Sequence, residues 1–529
     1  MQQQQQVLGQ ASPVFHEAHY RSPLPFAHEL TNQEKQQAVK DAFVFAWEGY
    51  RKHSWGYDEN RPVTNQPVNT RNGWGATIVD ALDTLYIMGL KDEFQEARDF
   101  VANIDWSQAD NLVQVFETTI RYVGGLLSAY DLSGDLVFVE KTVELVDRLL
   151  PAFDTPTGIP YQYINFKSGR GVKSGFPEGA SCLAEIGTVQ LEFTRLSQIT
   201  GNWTYHDTGN KVYSAFHKMK VTDPGLYPHL INADTGRPVG SYVTWGGMGD
   251  SFYEYLIKQY VLSDGKNQFM KDMVIETYRA MEQHLLQVPK DHDDLIYLVN
   301  KNDGVPNQVM DELACFAPGT ILLASHWIDE LQDMDAIASG MMQGCFYAWQ
   351  STRTGIAPEV FGYIDKDGRS YANLSKRQRE LAKAFGAFPV YPSYILRPET
   401  LESLFYFHQY TGEEVYQDMA WEIFNAIHTY CRANSGFSGL DNVDSFFPKW
   451  DDRQESFMFA ETFKYLYLIW DDQPRFPFDE WVFNTEAHPF KIPKTKELIS
   501  WWRSAVDTVC ELACQVFGLF FLPLNFLNE

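Results

Sequence analysis

Apolar residues recur at intervals of three and four over most of this chain, and segments that alternate every second residue are few. A period near 3.6 marks helix and a period of two marks strand. The pattern therefore predicts an all-α protein, with strands confined to loop hairpins such as one near residues 159–163. The first helix starts at Thr31 with a capping box, Thr31-x-x-Glu34, and carries Val39, Phe43, Ala46 and Trp47 at helical spacing. Further helices are predicted over 75–89, 91–104, 114–131, 135–152, 181–199, 205–219, 250–262, 267–287, 312–328, 335–351, 398–411, 413–432 and 455–470, fourteen with the first. Dividing the span 31–490 by seven gives about 66 residues, the length of two helices and their loops.

A second periodicity has the same length. Four helices end in similar turns: Ser133-Gly134-Asp135, Thr200-Gly201-Asn202, Asp264-Gly265-Lys266 and Thr411-Gly412-Glu413. The first three glycines lie 67 and 64 residues apart, and the fourth follows after 147, about two more periods. An acidic residue precedes them by 17, 16, 15 and 13 positions: Glu117, Glu185, Asp250 and Glu399. At ~1.5 Å of rise per residue, all four stand roughly 20–25 Å from their turns, at one level. Helical pairs packed side by side bring such positions to one mouth. Several carboxylates there suit a neutral polyol substrate, a metal, or both, which favours a glycosidase over a non-enzymatic helical scaffold.

Composition narrows the class. A chain of 529 residues with 44% apolar content has ample material for one large core. With 43 basic against 69 acidic residues, its formal charge of -26 repels phosphate backbones and anionic lipid, so nucleic acid is excluded as a partner. Six cysteines show no zinc spacing. Two sequons, Asn202-Trp203-Thr204 and Asn373-Leu374-Ser375, fit a secretory compartment. No signal pattern opens the chain, and no stretch reaches the ~20 apolar residues of a spanning helix, so no membrane anchor is visible. The expected organisation is a flexible leader over 1–30, a barrel over 31–490 and an amphipathic tail over 491–529, acting as a monomer.

Individual residues leave alternatives open. Segment 75–89 is apolar all round except for Asp80, Asp83 and two threonines, which predicts a buried helix whose aspartates bind backbone or arginine groups, or support a site. Glu117 has Arg121 at i+4, a simple helix salt bridge or a device for tuning an acid in a pocket. Asp250 follows Gly246-Gly247-Met248-Gly249 and could cap its helix. Glu399 after Pro398 suits a helix dipole, whereas Glu402 on the same face is not explained that way.

These residues carry a family resemblance. Segment 74–90, Phe116-Glu117-x-x-Ile120-Arg121, Asp250-Ser251-Phe252-Tyr253-Glu254-Tyr255-Leu256, Arg397-Pro398-Glu399-Thr400 and Asn484-Thr485-Glu486-Ala487-His488-Pro489 resemble the class I α-1,2-mannosidases, glycoside hydrolase family 47. The resemblance runs from about residue 31 to 490 with its motifs in order. It implies an (α/α)7 barrel, one Ca2+ ion, inversion at the anomeric carbon, and trimming of α-1,2-linked mannose from high-mannose N-glycans on glycoproteins. Residue by residue, Glu117 matches the general acid, Glu399 the base and Asp250 a third essential carboxylate. Thr485 matches the calcium-binding threonine. Glu185, Glu402, Glu461 and Glu486 match an acidic ring around the metal's waters and the sugar, with Arg121 and Arg397 beside it. Met248 stands where single-branch enzymes carry arginine, which implies Golgi-like trimming of several branches. Cys315 and Cys345 match a disulfide of the processing enzymes, which places the chain in the ER or Golgi lumen or outside the cell. Degradation-factor relatives that recognise glycans of misfolded glycoproteins generally lack that pair. One departure stands out: many relatives carry histidine where this chain has Glu312, which would change the charge and pH dependence of the pocket.

Overall fold

The computed structural model describes residues 30–109, 111–371 and 373–494. Almost all of the expected leader and tail lie outside them. Within them, helices alternate between two concentric layers. The outer layer is Asn32–Ser54, Lys91–Ala102, Leu136–Leu149, Thr204–His217, Gln268–Leu285, Asp335–Gln350 and Glu414–Tyr430. The inner layer runs over 76–87, 115–133, 183–200, 250–262, 312–327, 399–411 and 458–468. Successive inner segments pack on one another and the last returns to the first, closing an (α/α)7 barrel. This agrees with the seven-pair reading.

The two layers differ as burial requires. In Asp250–Leu262 every residue after Asp250 is buried, Lys258 included, so nothing of that helix faces solvent except its start. The outer helix Leu136–Leu149 buries only Phe138, Thr142, Leu145, Val146 and Leu149, one stripe at helical spacing. Tight turns join several inner helices to the next outer one. Gly134, Gly201 and Gly412 end their helices at φ 73°, 75° and 70°, the left-handed conformation in which glycine escapes the Cβ clash. The capping box at Thr31 forms as expected, with reciprocal Thr31 and Glu34 hydrogen bonds.

Long loops join outer to inner helices at the opposite end, and they hold most of the short antiparallel sheets. The expected hairpin lies a few residues later than predicted, as Tyr163–Asn165 against Arg170–Val172. Some inner helices are interrupted: 75–89 breaks at Ala81, 181–199 breaks between Ile186 and Gln190, and Thr118–Val123 and Met458–Thr462 are π-helical. A loop helix at Lys376–Phe385 was not predicted, although Ser375 and Gln378 form a capping box there. Cys315 and Cys345 are disulfide-bonded with Cα atoms 5.9 Å apart, tying the start of an inner helix to the outer layer.

The final hairpin, Trp481–Phe483 with Pro489–Lys491, packs against the inner helices 124–133 and 250–262 and plugs the barrel. Asn484 shapes its tip: the side-chain oxygen accepts from the N–H of Glu486 at 2.9 Å and of His488 at 2.8 Å. Its amide donates to Ile120 O at 3.0 Å and to Glu192 at 2.8 Å. A Cβ at Gly124 would lie 2.5 Å from that amide, so glycine is what lets the plug pass the inner helix. Among the described residues no helix is long and apolar enough to cross a membrane.

Candidate active site

Every inner helix starts at the mouth, where free N–H groups and the positive end of the helix dipole favour a carboxylate. The chain places one there repeatedly. Glu117 and Glu185 are third residues of Val115–Glu117 and Leu183–Ile186, whereas Asp250, Glu312 and Glu399 are first residues of their segments. Strands Val113–Gln114, Ser181–Cys182 and Val309–Asp311 lead directly into three of these segments, so the sheets fix the positions of Glu117, Glu185 and Glu312. The N-cap residues are Gly249 and Pro398, so capping is not what holds Asp250 or Glu399.

Glu117 accepts from Arg121 Nε at 2.8 Å and from Arg71 Nε at 3.1 Å. Burial acts to raise its pKa, but the two guanidinium groups outweigh it and hold the group down at about 2. Arg121 lies buried beneath, also bonded to Asp80 at 3.4 Å, Ser456 at 3.3 Å and Glu486. The helix salt bridge and the tuning of a pocket carboxylate are thus one arrangement. No sequence motif marks Arg71. Its loop is held by buried Asp58, which accepts from the N–H groups of Arg71, Gly73 and Ala76 at 2.6, 2.8 and 3.1 Å.

Round the ring the balance reverses. Burial pushes Asp250 up to about 7, against one backbone hydrogen bond from Ser251 at 2.9 Å. Glu185 is raised by burial although Gln114 and Gln162 donate to it at 2.6 and 2.7 Å. Glu399 is raised well above the carboxylate range by burial and by Glu312, against the positive charge of Arg397 at 3.8 Å. Arg397 is itself held by Glu359 at 2.6 Å. Burial raises Glu402 to about 7 despite Lys258 at 3.2 Å, and raises Glu486 to about 8 despite Arg121. Glu461 is raised by burial and by facing Glu486 and Glu402.

Below these acids is the plug. Of its tip residues Asn484 to His488, only Thr485 is partly exposed. Crowded carboxyl groups around an accessible threonine fit a hard divalent cation, whose charge would offset their repulsion. Among the described residues no three His, Cys, Asp or Glu side chains converge as direct ligands, so such an ion would rely on Thr485 oxygens and water. Beneath the plug, Asp83 accepts from Lys464 at 2.9 Å and pairs with His488 at 2.8 Å, while His488 also reaches Asp80 at 3.3 Å. Asp80 and Asp83 therefore support the floor rather than face the mouth. Met248 is half-buried at the rim with φ 76°, and its carbonyl accepts from Ala184 N at 2.9 Å.

Comparison with known proteins agrees with this architecture. The profile of glycosyl hydrolase family 47 matches residues 42–492. A mannosyl-oligosaccharide 1,2-alpha-mannosidase of Arabidopsis thaliana is 42% identical over 470 residues, covering 87% of this chain and 79% of the relative. A mannosyl-oligosaccharide alpha-1,2-mannosidase 1B of Aspergillus phoenicis is 38% identical over 512 residues, covering 92% and 97%. Among solved structures, an alpha-1,2-mannosidase from Trichoderma reesei superposes with a TM-score of 0.83 at 34% identity, covering 88% of this chain and 100% of that one.

Proposed function

The chain belongs to glycosyl hydrolase family 47, and from that premise we propose that it removes terminal α-1,2-linked mannose from high-mannose N-glycans by inverting hydrolysis, with one calcium ion bound at Thr485. The observation that carries this reading is the ring of helix-start carboxylates around a partly exposed threonine, with Glu117 and Glu399 on opposite sides of the ring. An inverting glycosidase needs an acid on one face of the scissile bond and a base with its water on the other.

Glu399 is the base: it takes a proton from water as the oxygen adds to the anomeric carbon. Glu117 is the acid: it gives its proton to the departing sugar oxygen as the C–O bond breaks. Arg121 and Arg71 hold Glu117 ionised in the free pocket, so the proton that it passes to the leaving sugar is first taken up from solvent. Asp250 and Arg397 position the sugar beside Glu399. Glu185, Glu402, Glu461 and Glu486 bind its hydroxyls and the waters around the ion. When bound, calcium supplies positive charge among these acids and further oxygen coordination for sugar hydroxyls. The Cys315–Cys345 disulfide supports an oxidising, secretory compartment.

Incubation with a nine-mannose glycan, with and without exhaustive chelation, tests the reading. Mannose should be released, chelation should stop its release, and calcium should restore it better than magnesium. Full turnover in chelated protein would refute the metal, and no release at all would refute the activity.

A further inference from the structure

Glu312 and Glu399 begin neighbouring inner helices, and the hydrogen bonds around them leave one buried oxygen of each without a donor. Glu312 is 1% exposed. Its Oε1 accepts from Thr400 N at 3.2 Å and from Thr400 Oγ1 at 2.8 Å. The Thr400 hydroxyl in turn accepts from Trp349 Nε1 at 3.0 Å, which directs its own hydrogen to Glu312. Glu312 Oε1 is therefore occupied as an acceptor. Its Oε2 is buried with no donor, and so is Glu399 Oε2. Thr400 directly follows Glu399, so its two hydrogen bonds to Glu312 bring the two carboxyl groups to one corner of the ring. The nearest cation, Arg397, approaches the other oxygen of Glu399, Oε1.

Two ionised carboxylates cannot share a buried contact at small cost, and two orphaned buried oxygens each lose the hydration they had in water. One proton removes both penalties. We propose that Glu312 is a positioning residue for Glu399: in the resting enzyme Glu399 Oε2 carries a proton and donates it to Glu312 Oε2, and that proton must leave to solvent before Glu399 can act as base. This rests on Glu399 being the base. Glu312 then accepts three hydrogen bonds, two from Thr400 and one from Glu399, and the clamp also sets the angle of the Glu399 carboxyl. The other charged groups facing the pair are Arg397 and Glu359 behind it and Glu461 on the adjacent inner helix, with Tyr394 packed alongside. Burial first, and then the carboxylates that outnumber this arginine, keep Glu399 raised.

The pH profile of kcat/KM tests this, because its acid limb reports the ionisation of the free enzyme's base. Glu312→Gln keeps a carbonyl to accept from Thr400 and puts an amide donor where the like charge stood. Glu312→His serves as the second variant, since an imidazole also removes the like charge. In both, the acid limb should move down by about 1 pH unit or more, the scale at which two sites are coupled. At a pH one unit below the wild-type limb, the variants should then gain roughly fivefold relative to their own plateaus. A merely structural Glu312 would lower the plateau or the melting temperature and leave the limb in place. Unmoved limbs in both variants, with Glu399→Gln inactive, would overturn the proposal while sparing the assignment of the base. Near-normal turnover of Glu399→Gln would instead overturn that assignment.

Discussion

Removing the disulfide offers a prediction whose size follows from the structure. Cys315 and Cys345 are both fully buried and close a loop with a sequence separation of 30. In the chain-entropy model a loop of that length restricts the unfolded chain by about 3.7 kcal/mol. Replacing both residues by alanine also deletes two buried sulfur atoms, each comparable to a methylene at about 0.8 kcal/mol, for a total near 5 kcal/mol. Unfolding roughly 460 residues carries an entropy of about 1 kcal/mol/K, so the expected fall in Tm is about 5 °C. Calorimetry of Cys315→Ala/Cys345→Ala against wild type, both without reductant, measures it. The sulfurs touch none of the proposed catalytic groups, so activity at 25 °C should stay within about twofold. A Tm within one degree of wild type, or a folded variant that has lost its turnover, would refute this reasoning.

Three further outcomes are expected. Glu117→Gln and Glu399→Gln should each lower turnover by at least about 10²-fold with circular dichroism and Tm preserved, because acid or base assistance is lost without loss of packing. In chelated protein, stability should fall between about pH 5 and 8, since Asp250 and Glu402, both held up at about 7, bind protons in the folded state that the unfolded chain has already released. Calcium should therefore raise Tm more at pH 8 than at pH 5.5, and a shift independent of pH would contradict the crowded-carboxylate site. Met248→Arg should narrow the products from several mannoses to one on chromatography of released glycans, because arginine brings five donors to the rim where methionine has none. Both residues are unbranched, so the left-handed backbone at that position costs each a similar amount. Unchanged product ladders would remove Met248 from the account of branch choice.

The architecture was legible because two independent periods, the helical pairs and the carboxylate-to-glycine spacing, have one cause. Several inner helices start at the mouth with an acid and end in a tight turn, so that acid stands a similar number of positions before a left-handed glycine. The breaks inside inner helices were not legible: nothing in Thr118–Val123 marks the π-helical turn that contains Arg121, the partner of Glu486 in the plug. The Lys376–Phe385 helix did announce itself, by the same capping signature as Thr31, but its surface is polar and it sits inside a loop where the apolar period is weak. Site residues set by loops escaped altogether. Arg71 reaches Glu117 only because Asp58 folds its loop, and Glu359 reaches Arg397 across 38 positions of sequence. For Asp250, the capping reading failed because Gly249 takes the cap, leaving the carboxylate to the pocket. Glu312 was visible as a charge, but its pairing with Glu399 arises from two helix starts that only the closed ring brings together.

Under the proposed mechanism the ring of acids cleaves an α-1,2-mannosidic bond with a water delivered from the face opposite the leaving sugar. Proton NMR of the first mannose released from a nine-mannose glycan tests it directly, read at times short compared with mutarotation. With inversion, β-mannose appears first and the α anomer grows in only afterwards. Release of α-mannose first would mean retention, and would contradict the division of roles between Glu117 and Glu399.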